Sequence, residues 1–206
     1  MKKLTALILA IALMLTAGLA LAKTVEPDDT EYERLAGMVV NATVGEYNQD
    51  TKTFTVTLYE DDCFDIEDLE KMEAGDTLLA GERVYKVKEK KEDENGDIIV
   101  ITEDGEEIVF VQVGDDHTTA ESIEDNRRYM HAFAILHLPA AENIVYEDNS
   151  DPEKEEAAVT KGLEEILKIK AEKEQNSIGF DFYATIIELN DNMEIVRIHQ
   201  DFDVAQ

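Results

Sequence analysis

Carboxylates are the commonest reactive side chains in this sequence, and calcium binding is the first chemistry that they suggest. Calcium takes about six to eight oxygen ligands, mainly carboxylates and carbonyls from a tight loop. The run Glu147-Asp148-Asn149-Ser150-Asp151 could bend into such a site. We therefore take Asp148 and Asp151 as candidate calcium ligands of a low-affinity, calcium-dependent module. The alternative interpretation is a solvated loop followed by a helix cap.

A regular EF-hand is excluded by the spacing of the glycines. The EF-hand loop needs glycine at its sixth position and acidic ligands at its first and last positions. With Gly96 in the sixth position, Lys91 is first and Thr102 is last. With Gly105 in the sixth position, Val111 is last. We therefore expect no cofactor, with calcium as the possible exception, which no standard motif supports.

The histidines do not predict a zinc site. His131 and His137 would share one face of a strand, but six residues at ~3.3 Å per residue would separate them by about 20 Å. The sequence contains no His-Glu-x-x-His motif. Zinc needs ligands that converge within bonding distance, so a straight strand cannot supply this pair.

Cys63 is the only cysteine, so an intramolecular disulfide is impossible. Its simplest interpretation is a small buried residue. A catalytic thiol would need a nearby histidine, and Asp61, Asp62 and Asp65 would disfavour the thiolate by raising its pKa.

No motif of a known enzyme class is present. The serines lie outside any Gly-x-Ser-x-Gly elbow, and no Walker loop or dinucleotide fingerprint occurs. A glycosidase uses a pair of carboxylates, but such a pair identifies no site in a chain with 48 acidic residues. The chain also has no Trp to stack on a sugar. We expect a protein that is not an enzyme, with a hydrolase of dispersed active site as an alternative.

The net charge limits the class of partner. The chain has 48 acidic and 19 basic residues, a net charge of −29. Nucleic acid is excluded as a partner, because phosphate contacts need Lys and Arg. Such acidity keeps a protein soluble and favours cations or basic ligands. We expect an extracellular protein or an envelope component as the partner.

The first 22 residues have the three parts of a secretory signal peptide. Lys2 and Lys3 form the basic start, residues 4–15 form an apolar run, and Ala20-Leu21-Ala22 supplies the small residues before a cleavage site. The sequence predicts cleavage before Lys23, secretion, and no membrane insertion afterwards. Residues 23–33 are polar and predict a linker.

Residues 34–113 predict an antiparallel β-domain. Residues 51–59 alternate, with Phe54, Val56 and Leu58 on one face and threonines on the other. Asn95-Gly96 is a hairpin signal, because both residues tolerate a positive φ.

Residues 129–206 predict a strand, one amphipathic helix and a C-terminal β-hairpin. Ser150-Asp151-Pro152-Glu153 has the features of a helix start. The fold class predicted from the whole sequence is therefore α+β. It comprises a small antiparallel sheet or partly closed barrel, followed by the helix and the hairpin, which pack with it.

Three segments resemble a loose set of uncharacterised secreted proteins of Gram-positive bacteria. They are the turn at residues 73–77 with Gly81 and Tyr85, the segment from His137 to Pro152, and the terminal strand from Ile195. The resemblance implies a small N-terminal β-domain and export, and no known activity. We expect a secreted acidic protein that acts as an interaction or structural module.

Overall fold

The structure, a computed structural model, describes residues 35–151, 153–154, 156–175, 180 and 184–201. The predicted signal peptide and linker lie outside this part of the chain. The strands and helices that lie within the described residues are β1 Val39–Asn48, β2 Thr53–Asp61, β3 Cys63–Asp65, α1 Ile66–Lys71, β4 Thr77–Ala80, β5 Arg83–Glu92, β6 Ile98–Thr102, β7 Glu107–Gln112, β8 His117–Ser122, β9 Met130–Asp148, β10 Ala158–Lys161, α2 Leu163–Gln175, β11 Thr185–Leu189 and β12 Ile195–Gln200.

Five strands of the first sheet close into a barrel. β1 pairs with β2, β2 with β9, β9 with β12, β12 with β11, and β11 again with β1. The β9–β12 pair is parallel and the other four pairs are antiparallel. Closure depends on the length of β9, which has 19 residues. Its first half pairs with β2, and its second half pairs with β12 and β10.

Alternation along the strands fills the barrel. Phe54, Val56 and Leu58 of β2 are fully buried, while the threonines between them face outward. Gly45 lies where the β1–β2 register shifts, and a Cβ there would be 2.9 Å from the Thr55 carbonyl oxygen. Glycine therefore lets the two strands approach at this bulge.

The topology is that of an OB-fold barrel. The ring order β1-β2-β9-β12-β11, with a helix between its third and fourth strands in chain order, is a five-stranded Greek-key barrel. α2 is that helix, and its Ile166 is fully buried in the barrel core. Lys170 is also buried, and its ammonium lies 5.6 Å from the centroid of the Phe180 ring.

Residues 62–129 are inserted between two barrel strands, β2 and β9, and carry a second sheet. Its strand order is β3-β8-β7-β6-β5-β4, and all of its pairs are antiparallel. One face holds a separate core that includes Val100, Ile108 and Phe110. α1 covers this core with Leu69, which is buried.

The predicted fold class is wrong. The molecule is mostly β, with two six-stranded sheets and only two helices among the described elements, and not a small β-domain followed by a helix and a hairpin. β1 and β2 belong to the barrel and pair with β9 and β11, far along the chain, while the strands between them form the other sheet. Local periodicity carries no information about such distant partners.

The predicted helix start is also displaced. No helix begins at the described residues 150, 151, 153 and 154, and Pro152 of the predicted capping pattern lies outside the described residues. The chain next forms β10, in which Val159 pairs with Glu147 of β9. α2 begins at Leu163, after Gly162 with a φ of 90°.

By contrast, the hairpin predicted at Asn95-Gly96 is confirmed, since it connects β5 and β6. No helix of the described residues is long and apolar enough to span a membrane.

Candidate functional site

The first calcium candidate, Asp148, already has a cation beside it. Its Oδ2 lies 3.0 Å from Nζ of Lys173. Its Oδ1 accepts hydrogen bonds from the backbone N–H and the hydroxyl of Ser150, at 3.0 and 2.5 Å. Burial acts to raise the pKa of Asp148, but the Ser150 bonds and the Lys173 ammonium outweigh it. The pKa therefore lies below its ordinary value.

The second candidate, Asp151, lies on the surface and is similarly occupied. Its Oδ2 is 3.0 Å from Nζ of Lys154, and its Oδ1 accepts the N–H of Glu153 at 3.1 Å. The hydrogen bond from Lys154 lowers the pKa of Asp151 most. Within the described ranges, no group of three or more His, Cys, Asp or Glu side chains is placed to hold a metal ion. Calcium binding stays a prediction.

The two histidines of β9 have separate partners. His131 donates from Nδ1 to Oδ1 of Asp62 at 2.7 Å, and its Nε2 lies 3.3 Å from Glu60. His137 lies on the other side of the register shift, with Nδ1 3.3 Å from the hydroxyl of Thr55. The imidazole of His137 is thus oriented by β2, and that of His131 by Glu60 of β2 and by Asp62, which directly follows β2.

Cys63 is exposed, which corrects the expectation that it is buried. Partial burial and the charges of Asp61, Glu60 and Asp62 together raise the pKa of its thiol. The predicted direction of this pKa shift is confirmed. A raised pKa leaves less thiolate at neutral pH, so these surroundings do not activate Cys63 as a nucleophile.

One cavity beside α1 is lined mainly by acidic residues. A cavity of about 500 Å³ lies among Asp65, Asp68, Asp115 and Asp116, and it reaches His117. His117 Nδ1 is 2.8 Å from Oδ1 of Asp65, and both side chains are largely exposed. This is a surface cluster of carboxylates with one histidine, and it presents no nucleophile.

One face of the barrel carries no formal charge. Residues 39–45, 53–59 and 130–141 contain no Asp, Glu, Lys or Arg, although 33% of the chain is charged. These segments are neighbours, because β2 pairs with β1 on one side and with β9 on the other. We call the outward side chains of these strands the uncharged face: Asn41, Thr43, Thr53, Thr55, Thr57, Tyr59, Ile135 and His137.

Thr57 lies at the centre of the uncharged face. Its cross-strand neighbours are Thr43 on β1 and Ile135 on β9, and Ile135 is 42% exposed. Most of the central side chains are β-branched, so few rotamers are available to them before contact. Such a surface loses little side-chain entropy when another molecule covers it.

Carboxylates form a rim around the uncharged face. Asp50 lies in the β1–β2 turn, Glu46 lies in the bulge of β1, and Glu60 lies near the end of β2. On the fourth side, Glu188 of β11 pairs with Val39, which is 63% exposed. The surface therefore has an uncharged centre and a border in which these carboxylates outnumber two cations, Lys52 of the β1–β2 turn and Arg197, which lies 3.5 Å from Glu188.

The fold and this surface define the class of protein: an OB-type barrel with a second sheet inserted between two of its strands. No protein-family model matches the chain, and no curated protein and no solved structure is significantly similar to it.

The prediction from sequence missed the uncharged face. The sequence contains a sign of this face, namely three runs without a charged residue in an otherwise strongly charged chain. The pairing of β2 with β9 brings those runs together, because Thr57 and its cross-strand partner Ile135 are far apart in the sequence.

Proposed function

We propose that this protein is a non-enzymatic recognition module that acts outside the cell, and that its uncharged face contacts a protein partner. The observation that carries the proposal is the absence of formal charge from three adjacent strand segments, residues 39–45, 53–59 and 130–141, in a chain of net charge −29. The export signal at residues 1–22 supports the extracellular location.

The uncharged face can be covered by a partner at a low cost in desolvation. Covering a charged side chain removes its hydration, which costs several kcal/mol unless a partner compensates it. A face of Thr, Asn, Tyr and Ile side chains avoids that cost. The centres of protein interfaces are depleted of charged residues in the same way, while their rims are polar.

The acidic rim indicates the chemistry of the partner. Glu46, Asp50, Glu60 and Glu188 would face the border of a docked surface. Lys and Arg around an uncharged centre would complement them. The net negative charge would also accelerate the encounter with a basic protein at low salt.

The OB topology is compatible with this use of the face. In OB folds, the surface of the second and third barrel strands is a common binding face for oligonucleotides and oligosaccharides. Here the acidic rim opposes phosphate, and the chain has no Trp for stacking on sugar rings. Both features favour a protein over the other two ligand classes.

The test uses the chain without residues 1–22 as bait in an extract of the source cell's surface proteins. A captured protein is identified and purified, and its Kd is measured for wild type, Thr57→Glu and Ile135→Glu. We expect each substitution to weaken binding about tenfold or more, because it buries an uncompensated charge.

Thr77→Glu is the matched control, since Thr77 is an exposed strand residue on β4 of the inserted sheet. This variant should bind as wild type does, and thermal melts should show that all three variants are folded. Equal binding by wild type and both face variants would refute the proposal. So would a partner that protects other strands from hydrogen exchange and leaves β2 and β9 unprotected.

The calcium-dependent module and the hydrolase stay as alternative predictions. No specific observation in the described part of the chain favours either of them over recognition by the uncharged face.

A further inference from the structure

The strand β4 forms one edge of the inserted sheet. It lies at the end of the strand order, and β5 is the one described strand that pairs with it. A two-residue turn joins these strands, with φ values of 56° at Gly81 and 64° at Glu82. Positive values at both positions are typical of the tight turns that connect hairpin strands. This edge belongs to the insert and is separate from the uncharged face of the barrel.

The backbone groups of Thr77 and Leu79 point away from β5. In a hairpin with a two-residue turn, the residues that flank the turn exchange hydrogen bonds, and bonded pairs then alternate along the strands. Bonding at Ala80 therefore recurs two and four residues earlier, and the carbonyl of Asp76 accepts the N–H of Val87 at 2.9 Å. Among the described residues, no strand pairs with β4 on its outer side. The N–H and C=O groups there can pair with an added strand.

Two apolar side chains lie exposed beside this edge. Leu79 is 62% exposed and Val84 is 67% exposed, and they are cross-strand partners on one face of the hairpin. The opposite face lies in the core of the inserted sheet, with Leu78 and Tyr85. Side chains of a non-bonded antiparallel pair approach closely. Leu79 and Val84 therefore form one surface, which we call the apolar patch.

Two lysines lie on the same face as the apolar patch. Val84, Lys86 and Lys88 are exposed, and they alternate along β5 with the buried residues Tyr85 and Val87. Successive side chains of a strand point to opposite faces. Lys86 and Lys88 therefore point to the same side of the hairpin as Val84.

These two lysines have no counter-charge in contact. β5 carries five basic residues, and three of them, Arg83, Lys90 and Lys91, are bound to oxygen atoms of the chain itself. In the part of the chain that the structure describes, neither Lys86 nor Lys88 has its ammonium within 4 Å of a carboxylate. A partner with acidic side chains would meet two ammonium groups that are not yet neutralised.

The hairpin is held in position at its turn. The N–H of Gly81 donates to Asp62 at 2.5 Å, and Glu82 accepts the N–H of Ala132 at 2.9 Å. Both contacts fix the turn to the segments that leave and re-enter the barrel. The edge is therefore ordered before a partner arrives, and preorganisation lowers the entropic cost of binding.

We propose that β4 binds an extended acidic segment of another protein, which adds to the six-stranded inserted sheet as a further strand. In strand addition, main-chain hydrogen bonds provide affinity and alternate side chains provide specificity. In an antiparallel register, a residue opposite Leu79 packs on the apolar patch. The residue two positions later lies opposite Thr77, whose other neighbour is Lys86.

This register defines the sequence that β4 recognises. Two strand spacings separate the backbone of Lys86 from a residue opposite Thr77, about 10 Å in total. The side chains of a lysine and a glutamate together span that distance. The recognised pattern is therefore an apolar residue followed two positions later by Asp or Glu.

The experiment titrates the chain without residues 1–22 with synthetic peptides and follows amide chemical shifts. The probe is the hexapeptide Thr-Val-Thr-Glu-Thr-Glu with both ends blocked, and the charge control has Lys in place of each Glu. We expect a Kd of about 1 mM for the probe and at least about tenfold weaker binding of the control. The N–H signals of Thr77 and Leu79 should shift more than that of Leu78, which already donates to β5.

N-methylated probes test the main-chain hydrogen bonds on the wild-type chain. In the antiparallel register, the N–H of the peptide Val faces β4, and the N–H of the Thr that follows it points away. N-methylation of the Val should weaken binding about tenfold or more, and N-methylation of that Thr should change it by less than about twofold. Equal effects of the two methyl groups would overturn strand addition.

Variants of the chain separate this edge from general attraction. Lys86→Gln should weaken binding of the probe about fivefold, because it removes the ammonium nearest to the first Glu. Lys161→Gln, which removes an exposed lysine of β10 in the barrel sheet, should leave it unchanged. Equal binding of the probe and its lysine control would overturn the proposal. Unperturbed signals of Thr77 and Leu79 at about 10 mM probe would also overturn it.

Discussion

Asp62 and His131 are joined by a 2.7 Å hydrogen bond from Nδ1 to Oδ1, at the point where the chain leaves the barrel and returns to it. Asp62 directly follows β2, and His131 is the second residue of β9. The other carboxylate oxygen of Asp62 accepts the N–H of Gly81 in the inserted sheet. One carboxylate thus links the barrel to the β4–β5 turn.

Replacing Asp62 should destabilise the protein. Asp62→Ala removes both acceptors and leaves the N–H of Gly81 without its carboxylate. We expect the free energy of unfolding to fall by about 1–3 kcal/mol, the usual cost of leaving a buried polar group unsatisfied. Urea denaturation measures this change, and hydrogen exchange at residues 81–82 and 130–132 shows whether the junction loosens.

The control for Asp62 is Asp50→Ala in the exposed β1–β2 turn. This variant should change the unfolding free energy by less than about 0.5 kcal/mol, as surface substitutions usually do. If both variants lose the same stability, the Asp62 bonds do not link the two sheets.

The ion pair of Asp148 and Lys173 should make part of the stability sensitive to acid. The side chains are 24% and 16% exposed, so solvent screens the pair only partly. The pKa of Asp148 is lower in the folded protein than its ordinary value. Its stabilising contribution is therefore complete above the unfolded pKa of about 3.9, and it is lost as the pH falls through the folded pKa.

Asp148→Asn tests this sign. The difference in unfolding free energy between wild type and variant should be constant near neutral pH, at about 1–2 kcal/mol, and should shrink below about pH 4. Denaturation curves at a series of pH values measure it, with Asp50→Asn as the exposed control. A difference that grows as the pH falls would contradict the direction of the pKa shift.

Calcium should not stabilise the protein specifically. The carboxylates of Asp148 and Asp151 are held by Lys173 and Lys154, so a calcium ion would have to displace an ammonium at each. Melting in EDTA, in a few millimolar calcium and in magnesium at matched ionic strength measures the effect. We expect the two metals to give the same melting temperature.

A rise seen with calcium alone would contradict that expectation, because only a ligand that prefers the native state stabilises it. Asp148→Asn and Asp151→Asn would then show whether these residues are the ligands. A rise that survives both substitutions would place the calcium site elsewhere.

Several local features could be predicted from the sequence. The alternation of Phe54, Val56 and Leu58 with threonines marks β2, and Asn95-Gly96 marks the hairpin between β5 and β6. The acids around Cys63 predicted the direction of its pKa shift. These features depend on residues that are close in sequence.

The uncharged face could not be predicted in the same way. Thr57 and Ile135 are neighbours only because β9 pairs with β2. Their residue types are ordinary for exposed positions. Nothing in their local spacing indicates that they lie together.

Local periodicity and composition specify where many of the strands and turns form, which of their faces are buried, and the net charge. The pairing of the strands depends on the complete fold. β1 pairs with β11 to close the ring, β9 pairs with both β2 and β12, and β10 forms within a segment whose local pattern predicts a helix. Long-range hydrogen bonding and core burial outweigh local preferences there, and they depend on partners that the local sequence does not specify.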